Sequence, residues 1–258
     1  MIEVPTQAAA EVVVPSSAEE AVSAFGDGDG TTVLAGGTIV MVELVHGRLS
    51  PSRVLMLERA GLTGLARDGE RLTIGSMTPV AELNAAPEPL ATAAGYVADP
   101  EVRAQATLGG NLCAPPGAES PRGDLQAALV ALDAEVHSAG EGGERFDPVE
   151  EFLATGPGGR LVLDVSFTEP EAAASASVRR PHAHSYTILA VHGARTGGEL
   201  RLAASGAGPH AVRLRSAEQG DAARALEDVS LGDDALASAW YRERTLPVLV
   251  GRVLSQLV

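Results

Sequence analysis

Two glycine-bearing segments carry the residues best suited to chemistry. They are Leu34-Ala35-Gly36-Gly37-Thr38-Ile39-Val40 and Ala106-Thr107-Leu108-Gly109-Gly110-Asn111. In each, a Gly-Gly pair is followed by a small polar residue. Backbone without side chains can approach a phosphate closely and present its N–H groups as donors. Taken singly, a Gly-Gly pair also reads as a tight turn. Two such loops in one domain read as the two sides of a clamp on a dinucleotide-like ligand. Neither follows the spaced glycines of a Rossmann turn or the Gly-Lys-Ser/Thr of a P-loop. All 19 basic residues are arginine, which excludes a Walker lysine, a Schiff-base lysine and a pyridoxal-phosphate anchor.

The other chemistry-bearing residues narrow the choice. Asp124 stands just ahead of an apolar run with helical spacing, Leu125, Leu129 and Leu132. There a carboxylate favours the helix dipole, and it reads as a simple cap. The single cysteine, Cys113, excludes an internal disulfide and an iron–sulfur cluster held by this chain alone. His182 and His184, two apart in a proline-containing segment, read as a polar loop rather than a zinc site. No metal ligand set is expected.

The net charge of −15 is spread along the chain, which describes a solvated surface and argues against nucleic-acid binding. No apolar run approaches the roughly 20 residues that span a bilayer, so no membrane insertion is expected. Met1 to Pro5 lacks the basic and apolar regions of a signal peptide, and a cytoplasmic location is expected.

The elements that must position these residues follow an α/β order at first. Residues 11–14 predict a strand, and Ser16-Ser17 with Glu19 and Glu20 predicts a helix N-terminus running to the Gly26–Gly30 stop. Thr31–Ala35 predicts a strand that delivers the chain into Gly36-Gly37, and Ile39–Leu44 predicts the helix after it. Further strands are expected at Val54–Leu57 and Arg71–Ile74, and helices at Val80–Asn84, Pro89–Tyr96 and Asp124–Leu132. The Ala/Ser-rich stretch Ala172–Ser177 reads as a linker. Beyond it, strands at Tyr186–Val191, Leu200–Ser205 and His210–Leu214 precede helices at Ser216–Leu226 and Asp233–Leu257. The expected class is α+β, with a first domain over 1–170 (subdomains of about 1–57 and 58–170), a linker at 171–178 and a second α+β domain over 179–258.

Five separated motifs together resemble one family, the FAD-binding medium subunit of the molybdenum hydroxylases, as in carbon monoxide dehydrogenase and xanthine dehydrogenase. Its first loop, Ala-Gly-Gly-Thr/His, is matched by Ala35–Thr38, and its Ala-Thr-Ile/Val-Gly-Gly-Asn by Ala106–Asn111. Its Leu-Thr-Ile-Gly-Ala-x-Thr-Thr-x-x-Glu-Leu is similar to Leu72–Leu83, its Ser-Pro-x-x-Asp-Leu to Ser120–Leu125, and its Ala-Ser-x-x-Tyr-Arg to Ala237–Arg242. Arg213 stands where a Pro-x-Arg strand end is usual. The resemblance implies a two-subdomain FAD-binding domain followed by a small three-stranded antiparallel sheet with helices.

By that resemblance, Leu34, Ala35, Gly36, Gly37, Thr38, Ile39 and Val40 would cradle the FAD pyrophosphate through their amides. Thr107, Gly109, Gly110 and Asn111 would hold it from the opposite side, and Asp124 would accept hydrogen bonds from sugar hydroxyls. The implied partners are an iron–sulfur small subunit, a molybdopterin large subunit and a small-molecule electron acceptor. FAD would relay electrons, so no catalytic side chain is expected. The chain departs from the pattern at Ile39, at Ala104, at Ser185, in its lack of lysine and in a wider spacing from Asn111 to Asp124, with Ala114–Glu119 as an insertion. These departures keep open a stand-alone flavoenzyme acting on a small organic substrate, and a binding module that retains only the fold.

Overall fold

A computed structural model describes residues 10–115, 123–179 and 186–257. The N-terminal sequence, His182, His184, Ser185 and most of the expected insertion lie outside the described residues. The first unit is a parallel sheet of β1 (Glu11–Val13), β2 (Thr31–Leu34) and β3 (Arg53–Met56), ordered β1-β3-β2. Between β1 and β2 runs α1 (Ala18–Phe25). The Ser17 hydroxyl accepts from the Glu20 N–H at 3.1 Å, and Gly26, with φ of +62°, ends the helix. Ala21 and Phe25 bury its inner face against Leu55 and Leu57. The glycine loop then leads into α2 (Val40–Val45), none of whose residues is buried.

The second unit is an antiparallel sheet, ordered β4-β5-β8-β6-β7, of β4 (Leu65–Asp68), β5 (Arg71–Gly75), β6 (Glu135–Gly140), β7 (Gly143–Pro148) and β8 (Leu161–Thr168). Its helices are α3 (Leu90–Tyr96), α4 (Pro100–Gln105), α5 (Leu108–Leu112), α6 (Gln126–Ala131) and α7 (Val149–Thr155). Every residue of α6 is buried, so it is the central helix of the core rather than an amphipathic one.

The third unit is an antiparallel sheet of β9 (Ala172–Arg179), β10 (Thr187–Thr196), β11 (Glu199–Ser205) and β12 (Val212–Arg213), with α8 (Ala239–Leu257) on one face. Leu246, Leu249, Val250 and Val253 of α8 pack on Leu189, Val191 and Leu202, whereas Ala194 and Ala203 on the other face join the core around α6. Ion pairs tie this unit to the second: Arg201 to Asp133 at 2.7 Å, and Glu150 to Arg213 at 3.4 Å and to Arg215 at 2.7 Å.

The α+β class stands, but four expectations are corrected. The expected linker is β9, so the last sheet has four strands. Its small residues are packing chemistry: Ala174 and Ala176 are buried in the cluster under α8, and a Cβ on neighbouring Gly193 would meet Val253 and Leu257 at 2.7 Å. The helix expected from Asp233 starts at Ala239: Ser238 precedes it and its hydroxyl accepts the Tyr241 N–H at 3.3 Å, while the Asp233 carboxylate accepts the Ala239 N–H at 2.6 Å. The helix expected over Ser216–Leu226 is two 3-10 turns, Arg215–Ala217 and Ala222–Glu227, separated by Gly220 at φ of +95°. Val80–Ala85 is likewise a 3-10 turn.

Candidate cofactor-binding cleft

A cleft of about 810 Å³ runs between the parallel sheet and the second unit, and Tyr186 of the third unit reaches its wall. The first glycine loop emerges from β2 at its edge. The N–H groups of Gly36, Gly37, Thr38, Ile39 and Val40 donate to no other group among the described residues, while the Gly37 carbonyl accepts from Met41 at 2.9 Å. Five consecutive free donors end at the first turn of α2, so the dipole of that turn adds to their attraction for an anion. Gly37 needs its glycine for φ of +74°. Gly36 needs it for space, since a Cβ there would lie 1.9 Å from the Gln105 carbonyl oxygen. The two glycine segments are therefore in direct backbone contact.

The second segment is built differently from the first. Thr107 is the N-cap of α5, and its Oγ1 accepts from the Gly110 N–H at 3.2 Å. The Gly109 N–H donates to the Ser76 carbonyl at 2.7 Å, and that of Asn111 to Thr107 O at 2.9 Å. Its amides are committed within the protein. What the segment offers is a floor without side chains: a Cβ on Gly109 would stand 2.9 Å from Ser76 Cβ, and one on Gly110 would meet only Thr107 Oγ1, at 3.1 Å.

Asp124 and Asn111, both buried, meet the same cleft. Asn111 Oδ1 accepts the Leu125 N–H at 2.9 Å, tying the segment to the start of α6. The N-cap position of α6 is Leu125, so Asp124 stands one residue ahead of it, at the mouth of the helix. All the positions read from the sequence line the cleft except Leu34, which lies beneath Gly37 at the end of β2.

Sequence reasoning missed several wall residues. Val97 and Ala98 form a turn, Ala98 at φ of +36°, whose carbonyls accept from Arg103 Nη1 at 2.7 and 3.0 Å. Arg160 Nε donates to Ser138 at 3.0 Å and Nη2 pairs with Asp147 at 3.1 Å, which fixes a guanidinium in the wall. Cys113 is reachable from the cleft, yet the protein packed around its sulfur pushes the thiol up to about 12. Ser76 and Tyr186 line the wall as well. No local pattern marks these positions: they come from five separated stretches of the chain and meet only in the fold. The Arg103 beside the second segment was the one available signal.

A largely apolar cleft, lined by an amide cluster on one loop and by the bare glycine backbone of another, suits a ligand that carries an anionic group between apolar parts. FAD, with its pyrophosphate, is a ligand of that kind. The buried Ser76 hydroxyl, which has no hydrogen-bond partner among the described residues, fits an additional ligand contact. Among the described residues, no three His, Cys, Asp or Glu side chains gather in a way that could hold a metal.

Comparison with known proteins agrees with the geometry. Residues 7–167 match the family described as the FAD binding domain in molybdopterin dehydrogenase. The putative xanthine dehydrogenase FAD-binding subunit of Escherichia coli K12 is 30% identical, across 93% of this chain and 92% of its own. The alpha subunit of the 6-hydroxypseudooxynicotine dehydrogenase complex of Paenarthrobacter nicotinovorans is 27% identical, across 95% and 93%. Among solved structures, carbon monoxide dehydrogenase of Hydrogenophaga pseudoflava superposes with a TM-score of 0.83 over 96% of both chains at 23% identity, a likeness of fold. With the amide cluster, the glycine floor and the family match in agreement, the chain belongs to the FAD-binding family of the molybdopterin dehydrogenases and is an FAD-binding oxidoreductase component.

Proposed function

We propose that this chain is the electron-transfer flavoprotein subunit of a molybdenum-hydroxylase-type complex. In this reading it takes electrons from an iron–sulfur small subunit, downstream of a molybdopterin large subunit, and passes them to a small-molecule acceptor. The observation that carries it is the run of free amides from Gly36 to Val40 in the same cleft as the bare backbone of Gly109 and Gly110. FAD, when bound, supplies the redox chemistry.

The chain's own residues do the positioning. Gly36 to Val40 donate to the pyrophosphate. Thr107, Gly109, Gly110 and Asn111 form the wall that lets it come close, and Asp124 accepts from sugar hydroxyls. Residues up to about 170 form the cofactor domain, and the remainder closes the cleft through Tyr186. The surface of α2 favours a docked subunit over a free-standing enzyme. Met41 and Val42 are about half exposed and Val45 is 79% exposed, on a helix whose Val40 and Val42 also line the cleft. An apolar face of this kind beside a redox site suits a partner. Among the described residues no helix is long and apolar enough to cross a membrane.

The test is to purify the chain, titrate it with FAD and record its visible spectrum and its mass in solution. Flavin bands that stay with the protein, and no turnover of small organic substrates until partner subunits are added, are expected. Turnover by the flavin-loaded chain alone would replace this reading with the stand-alone enzyme. A chain that takes up no flavin would sink both.

A further inference from the structure

Buried polar atoms without a partner are few in folded proteins, and each calls for an explanation. Among the described residues that have one, only Ser76 lines the cofactor cleft; His210 and Arg242 line a separate cavity of about 370 Å³. Ser76 is 3% exposed, and its backbone is held at both ends: its N–H donates to Leu163 O at 2.9 Å, and its carbonyl accepts from Gly109 at 2.7 Å. Its Cβ faces the position where Gly109 lacks one. The hydroxyl is thus fixed at the glycine floor, with rotation about χ1 as its one freedom.

We propose that Ser76 is a cofactor-holding residue, whose hydroxyl turns toward the cleft and donates to a phosphate oxygen of FAD lying over Gly109 and Gly110. The proposal rests on the reading of the cleft as the FAD site. A hydroxyl with a purely structural task would be satisfied in the protein alone. Leaving it unsatisfied costs stability in the free protein, and that cost is recovered when a ligand oxygen arrives. Among the cofactor's parts, the anionic phosphates make the strongest acceptors for a neutral donor.

The two states of the protein should respond with opposite sign to Ser76→Ala. Removal of an unsatisfied buried hydroxyl leaves the melting temperature of the flavin-free protein equal or higher. The same change weakens FAD about tenfold or more, the size of one hydrogen bond to a charged acceptor. Flavin fluorescence titration reads the affinity, and calorimetry of the flavin-free protein reads the stability. Riboflavin, which lacks phosphate, should bind both forms alike. Unchanged FAD affinity overturns the proposal. An equal loss for riboflavin also overturns it, by moving the contact off the phosphates. A lower melting temperature with parallel losses for both ligands makes the hydroxyl structural. If the unmodified protein binds no FAD, the functional reading itself fails, and this failure is distinct from the preceding ones.

Discussion

Replacing Gly36 by alanine tests the geometry of the cleft at its tightest point. The added Cβ would stand 1.9 Å from the Gln105 carbonyl oxygen and 2.7 Å from its carbon, both backbone atoms that cannot swing aside. An ordinary carbon–oxygen contact is over a full ångström longer, so the two segments must separate by about that much. Gly36 has no positive φ, so the alanine is not opposed by its own backbone and the whole effect is steric. Overpacking of this kind costs about 1–3 kcal/mol of stability. The amides after Gly36 move with the loop, and losing two hydrogen bonds to a charged phosphate costs a further 3–6 kcal/mol or so of binding. That corresponds to roughly a hundredfold to ten-thousandfold rise in Kd. Thermal unfolding without flavin and fluorescence titration with FAD measure the two parts separately. Gly110→Leu is the contrasting variant. Its Cβ meets only Thr107 Oγ1, so the protein stays folded while the side chain fills the floor of the cleft and FAD is excluded. Wild-type FAD affinity in Gly36→Ala would refute the placing of the pyrophosphate on the first loop. An unchanged melting temperature would refute the backbone contact itself.

Three further outcomes are expected. His192 is fully buried in β10 and desolvation lowers its pKa to about 4, so the unfolded chain binds the extra proton first as pH falls. Its contribution is present above about 6.5 and is lost progressively down to about 4, to a total of about 3 kcal/mol; His192→Gln should flatten denaturant-measured stability over that window, and an unaltered slope would refute the assignment. Cys113, with its thiol held up to about 12, should react with iodoacetamide at pH 8 some thousandfold more slowly than an ordinary thiol, and FAD should suppress the remainder; fast labelling that flavin does not slow would place it outside the site. Asp124→Ala should raise the Kd for FAD about tenfold, the loss of one charge-assisted hydrogen bond, as read by equilibrium dialysis, and no change would leave the carboxylate a structural role.

The legible parts of this fold were those with local causes. The helix from Ala18 is announced by Ser17 and closed by Gly26, and the strand-to-glycine-loop transition at Leu34–Gly37 stands as read. The strands β6, β7 and β8 were not expected. Leu161 to Phe167 is almost continuously buried and lacks alternation, and β7 is an exposed edge with few apolar residues. The Ala/Ser-rich β9 was hidden because small residues signal a linker when alone and a close helix–sheet contact when α8 lies over them. In the site, the similar-looking glycine loops proved unlike: one keeps its amides free, and the other spends them on Ser76 and Thr107.

By itself, the sequence determined the chemistry available: two glycine segments, a carboxylate ahead of a buried helix, no lysine and one thiol. These follow from residue type and short-range spacing, where the physical causes act over a turn or a strand. Only the tertiary structure decided which amides remain free, that Gly36 is pressed against Gln105, and that Val97, Arg160 and Tyr186 share a cleft with Gly110. Those outcomes depend on the docking of three separately built sheets. Contacts between residues so far apart in the chain are set by the shape and burial of whole elements, and no local pattern encodes them.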